Sequence, residues 1–90
     1  MLPAMLGVVL ENADRDFLEA VDNGWEVDRE GSIWNQMRRL GAVRMRPFFS
    51  RRFPFMGIRP RLTAMGEEML GECLRAPSQE RWFVGSDILR

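Results

Sequence analysis

Residues 37–66 read MRRLGAVRMRPFFSRRFPFMGIRPRLTAMG, and within this stretch the spacing of apolar side chains changes period twice. Up to Leu40 it is helical, with Ile33, Met37 and Leu40 at i, i+4 and i+7. From Ala42 it becomes two: Val43 and Met45 alternate with Arg44 and Arg46, and Ile58, Pro60 and Leu62 alternate with Arg59 and Arg61. After Thr63 the helical period returns through Met65, Met69, Leu70, Cys73 and Leu74. The stretch therefore predicts a helix closed by Gly41, two short antiparallel strands, and a helix over 64–75 capped by Thr63 and stopped by Pro77. Paired as a hairpin, the strands give Val43, Met45, Ile58 and Leu62 to the core and gather four guanidinium groups on the opposite face. Pro47, Pro54 and Pro60 exclude a central strand and fit an edge ribbon.

Outward toward the N-terminus, the helix ending at Leu40 starts at Asp28 or Ser32 and projects Ser32, Asn35, Arg38 and Arg39 away from its apolar face, with Trp34 and Gln36 on the flanks. Arg is able to bind guanine bidentately, and Asn adenine. An ordinary solvated helix face has the same composition. Before it, Asp14 or Asp16 caps a helix that buries Phe17, Leu18 and Val21 and exits left-handed at Asn23-Gly24, leaving Trp25 and Val27 to pack in a tight turn. Leu2, Met5, Leu6, Val9 and Leu10 suggest a further helix over about 3–12. Toward the C-terminus, Ser78 caps a last turn carrying Trp82, Phe83 and Val84, read as core closure or a dimer contact. The tip of the ribbon, with Phe48, Phe49, Phe53, Phe55 and Met56 rimmed by Arg51 and Arg52, is unusually aromatic. It can fold back on the domain, dock on a second subunit or a partner protein, or insert into the minor groove of DNA.

Charge is sorted along the chain although the net charge is zero. Residues 1–28 hold one Arg against seven acids, residues 29–61 nine against one, and residues 62–90 three against five. Lys is absent, which a GC-rich coding sequence would explain; it would not explain why the acids avoid the arginine stretch. A localised anionic partner would, and phosphate backbone is the commonest one.

Ninety residues make one small domain near the lower limit for a core that holds alone, so dimerisation is expected. The single cysteine, Cys73, cannot form an intramolecular disulfide, and no zinc-type spacing accompanies it, pointing to a reducing cytoplasm and no structural metal. The first residues lack a basic n-region and are followed by acids, which argues against a signal peptide, and no segment approaches membrane-spanning length. With neither His nor Tyr, and no Gly-rich phosphate loop or nucleophile elbow, catalysis would rest on carboxylates or Cys73; neither an enzyme nor a cofactor is expected.

Two local texts resemble those of a known family. Met37-Arg38-Arg39-Leu40-Gly41-Ala42-Val43 looks like a recognition helix running through LGxV into a wing strand, and Arg61 to Leu70 resembles the LTxxGxxxL of MarR-like and PadR-like regulators. The resemblance covers about residues 14–74 and implies an α+β, mainly helical winged helix-turn-helix: three helices, a two-stranded wing and a C-terminal helix. As one domain over 1–90 it would comprise an N-terminal helix (1–12), a helix-turn-helix (14–41), a wing (42–63), a helix (64–75) and a tail (76–90). It further implies a cytoplasmic, homodimeric regulator of transcription that binds double-stranded DNA. Ser32, Asn35, Arg38 and Arg39 would then lie at the major groove, and Arg44, Arg46, Arg51, Arg52, Arg59 and Arg61 on phosphate. The rival expectation is a protein-binding module, such as a phage-type inhibitor or adaptor, that uses Phe49, Phe53, Phe55 and Trp82. RNA binding ranks third.

Overall fold

The computed structural model describes residues 7–48 and 57–85. Its elements run β1 (Val8–Glu11), α1 (Asn12–Asp22), α2 (Ser32–Leu40), β2 (Val43–Phe48), β3 (Gly57–Leu62), α3 (Ala64–Arg75) and β4 (Arg81–Val84). The protein is a small α+β fold of three helices and two separate two-stranded antiparallel sheets among the described residues, β1 with β4 and β2 with β3.

The segment expected as an N-terminal helix is a strand over the part described. Val8 pairs with Val84, Val9 with Phe83, Leu10 with Trp82 and Glu11 with Arg81. Leu10, Trp82 and Val84 are buried, Val8 is half-buried, and Val9 and Phe83 point outward. The β-branched pair Val8-Val9 suits this alternation. The helical pattern drew on Leu2, Met5 and Leu6, which lie outside the described residues. For the same reason the tail residues Trp82, Phe83 and Val84 are not a helical turn: they are the strand that β1 needs. Only two helices precede the ribbon among the described residues. The connection between them, 23–31, is nine residues long, against the three or four of a helix-turn-helix turn.

Helix α1 begins where β1 stops. Its first turn is closed by the Asp14 carboxylate, which accepts from the Glu11 backbone N–H at 2.8 Å. Helices α1 and α2 end alike. Gly24 (φ 77°) and Gly41 (φ 81°) adopt the left-handed conformation that glycine takes without strain. Their N–H groups and those of the next residues bond back to Val21 and Ala20 in one case, and to Arg38 and Met37 in the other. The core joins Leu10, Leu18, Val21, Trp34, Met37, Ala42, Val43, Met69, Leu70, Cys73, Trp82 and Val84. Phe17 meets Trp34 edge-on, with ring centroids 6.1 Å apart. Trp34, expected on a flank of its helix, is therefore a core residue.

Helix α3 has the expected bounds, and its first turn forms the central joint of the fold. The Thr63 N–H donates to the Ala42 carbonyl at 2.9 Å, the Thr63 hydroxyl donates to the Gly41 carbonyl, and Thr63 Oγ1 accepts from the Gly66 N–H at 3.2 Å. Gly66 is buried directly against the Ala42 carbonyl, leaving no room for a Cβ. The LGxV and LTxxG segments, more than twenty residues apart in the chain, thus meet backbone to backbone.

Candidate nucleic-acid interface

The register of the β2–β3 ribbon decides where its arginines go. Arg44 lies opposite Arg61 and Arg46 opposite Arg59, so the four share one face in two cross-strand pairs, as the alternation predicts. All four are exposed. Met45 lies opposite Pro60 and Pro47 opposite Ile58. Both prolines have the other parity, so a ladder whose hydrogen-bonded pairs are the arginine pairs loses no bond to either. Beyond Arg46, Phe48 continues the arginine face opposite Gly57, and the Arg59 guanidinium sits 4.1 Å from its ring centroid. Phe49, Arg51, Arg52, Phe53 and Phe55 lie outside the described residues.

Like charges set directly opposite one another destabilise a sheet, and among the described residues no carboxylate pairs with these four. The ion pairs among the described residues join Arg15 to Asp16, Arg75 to Glu72 and Arg81 to Glu11. None reaches Arg38, Arg39, Arg44, Arg46, Arg59 or Arg61. The acids of α1 thus leave the basic stretch uncompensated at contact range.

On α2, Ser32, Asn35, Gln36, Arg38 and Arg39 are exposed while Trp34 and Met37 are buried. Arg38 lies 5.9 Å from the Trp34 ring. Arg38 and Arg39 occupy the last turn, where the helix dipole favours cations, so their position also has a structural cause. The ribbon pairs have no such cause. Gly41 and Ala42 connect the two sets, and the Thr63 joint holds that connection.

Three expectations change. Trp82 is 4% exposed and its indole N–H donates to the Ala76 carbonyl at 2.9 Å, so it closes the core and is not an interface side chain. Ile58 is 56% exposed, because the ribbon carries its inward face past the end of the core. Trp25, expected to pack, is 63% exposed. Trp25 and Ile58 both line a cleft of about 260 Å3 with Gly24, Glu26, Val27, Arg29, Arg59 and Pro60. The sequence held one signal for this cleft: Trp25 lies just past the glycine that ends its helix, in the largely polar run DNGWEVDREG.

Burial pushes the Cys73 thiol up to about 11; Asp14 and Glu72 act in the same direction and Arg15 against it. Among the described residues no group of three or more His, Cys, Asp or Glu side chains could hold a metal ion, and no helix is long and apolar enough to cross a membrane. Comparison with known protein families, with curated proteins and with solved structures returns no match to this chain.

Proposed function

We propose that the protein binds double-stranded DNA through the α2–ribbon unit, in the manner of a winged helix, and acts as a regulator of transcription without catalytic chemistry. The observation that carries this reading is the arginine ladder: Arg44 against Arg61 and Arg46 against Arg59, exposed and without a carboxylate partner among the described residues. Such an arrangement costs the free domain stability and is relieved when a polyanion lies across it. Ser32, Asn35, Arg38 and Arg39 supply the side chains able to read base edges. A dimer would give two such units the symmetry of a palindromic site.

The test is anisotropy of a labelled random duplex titrated with protein at several salt concentrations. If the four ladder arginines each neutralise a phosphate, log K falls with log salt at a slope of at least about −3.6, roughly a hundredfold loss between 50 and 200 mM. Changing all four to Gln should flatten that slope by about the same amount. A wild-type affinity that is indifferent to salt overturns the reading.

A second reading, a protein-binding module, rests on a different observation. Phe83 is 69% exposed and lies opposite Val9, 52% exposed, on the outer face of the β1–β4 sheet. Substituting Phe83 by Ser would then abolish capture of a protein target while leaving DNA titrations unchanged.

A further inference from the structure

The cleft between the α1–α2 connection and β3 holds a surface that the arginine ladder does not use. One side is the connection Gly24–Arg29, with Trp25 exposed by 63%; the other is Ile58, Arg59 and Pro60 of β3, with Ile58 exposed by 56%. Arg29 spans one end, its guanidinium 3.9 Å from the sulfur of Met45, the residue opposite Pro60. Its lining offers an indole, three aliphatic side chains, the Arg29 guanidinium and one carboxylate, Glu26, while Arg59 borders it with its guanidinium over Phe48 on the ladder face. At about 260 Å3 the cleft is smaller than a drug-sized ligand requires. Exposed indole is what a planar ring stacks on, the Arg29 cation favours an anionic ligand, and a carboxylate accepts from exocyclic amino groups.

We infer that this cleft receives one unpaired nucleobase from a DNA strand whose phosphates lie on the arginine ladder. Arg59 makes the two sites continuous, since it lines the cleft and belongs to the Arg46–Arg59 pair. The strand would cross at Arg59, one base stacking on Trp25 between Val27 and Ile58, with Arg29 on the next phosphate and Glu26 against the base edge. The inference rests on the DNA-binding reading of the ribbon and adds a preference: duplexes with an extrahelical or unpaired base bind more tightly than fully paired ones.

Three labelled duplexes of one sequence test it: fully paired, with a single extra adenine, and with an abasic residue at that position. The extra adenine should improve affinity about tenfold, the scale of one base stacked on an aromatic side chain. The abasic duplex should behave like the paired one. Trp25→Ala should remove the preference without changing affinity for the paired duplex, and its circular dichroism should be unchanged because Trp25 is outside the core. Glu26→Ala should lower the preference for an extra adenine, because the exocyclic amino group loses its acceptor. The inference is overturned if the paired and bulged duplexes bind alike while the salt slope persists, or if Trp25→Ala weakens both equally. No binding of any duplex by wild-type protein would instead defeat the reading of the ribbon.

Discussion

Two glycines of one helix should respond to the same substitution with opposite signs. Gly66 lies in the first turn of α3 against the Ala42 carbonyl, and Gly71 lies one turn and a half further along with nothing within 4 Å of the position a Cβ would take. Alanine in place of glycine favours a helix by about 1 kcal/mol at either site. At Gly71 that gain stands alone, reduced where the helix already restrains the chain, so Gly71→Ala should stabilise by roughly 0.5–1 kcal/mol. At Gly66 the new methyl collides with a backbone oxygen, which cannot rotate away as a side chain can. The Cβ would also stand 3.1 Å from the Ala42 carbonyl carbon and 3.2 Å from Leu62 Cδ2. Relief requires α3 to move off the joint. That movement stretches the Thr63 N–H to Ala42 bond, worth about 0.5–1.5 kcal/mol, and loosens the Thr63 cap, worth about 1 kcal/mol. Overpacking adds roughly 1–3 kcal/mol. Set against the propensity gain, the net is a loss of about 1.5–4.5 kcal/mol.

Urea unfolding followed by the emission of the buried Trp34 and Trp82 measures both variants on one scale. For a domain of this size the loss corresponds to a fall in Tm of roughly 6–36 °C, and the gain at Gly71 to a few degrees upward. A neutral or stabilising Gly66→Ala would refute the reasoning, because it would mean that α3 does not press on the Gly41–Ala42 backbone at all.

Two further outcomes follow from charge and burial. Arg44→Gln and Arg61→Gln should each stabilise the free domain by about 0.2–1 kcal/mol at low salt by removing a like-charge cross-strand pair, with the gain fading as salt screens it; no gain in urea titrations at low salt would count against the ladder. For Cys73 the folded pKa, about 11, lies above the ordinary thiol value near 9, so its contribution to stability is complete below about pH 9 and is lost as pH rises toward 11. The loss is of order 2–3 kcal/mol, and since the chain contains neither Lys nor Tyr nor His, no other side chain titrates in that window. Cys73→Ala should therefore show a flat stability profile there, and a wild-type profile equally flat would exclude the buried-thiol account.

What could be read from the sequence was whatever rests on near neighbours. Thr63 caps α3 through Gly66, three residues on, and Pro77 lies just past its end, so its bounds were legible. The facing of the ribbon was legible because arginine marks one parity and apolar residues the other; its register was not, since a slip of two residues keeps the same faces. The β1–β4 pairing was not legible, since it joins Leu10 to Trp82 across most of the chain, and Val9-Leu10 satisfies a helical period as readily as an alternating one. The assignment of Trp25 failed for the same reason, and Trp82 stayed open between core closure and a dimer contact. Whether a Trp is core or surface depends on which distant element covers it: Trp82 lies under Arg15 of α1 and bonds to Ala76 just past α3, whereas Trp25 sits on a turn that β3 approaches without closing.

The joint between Gly41–Ala42 and Thr63–Gly66 ties the fold to the proposed site. A surface that follows a phosphate backbone with arginines from two elements works only if those elements keep a fixed angle. Here α2 passes into β2 through two residues whose carbonyls are both held by Thr63, the residue that also ends β3 and starts α3. Neither the helix end nor the ribbon base can turn without breaking a bond to that one side chain and its backbone. The repulsion within the ladder would otherwise splay the strands, and the Arg59 contact with Phe48 opposes this at the last described pair of the ribbon. The ribbon is thus fixed at its base and restrained where it leaves the core, and the exposed Ile58 and Trp25 lie on either side of the space that this rigid overhang leaves open.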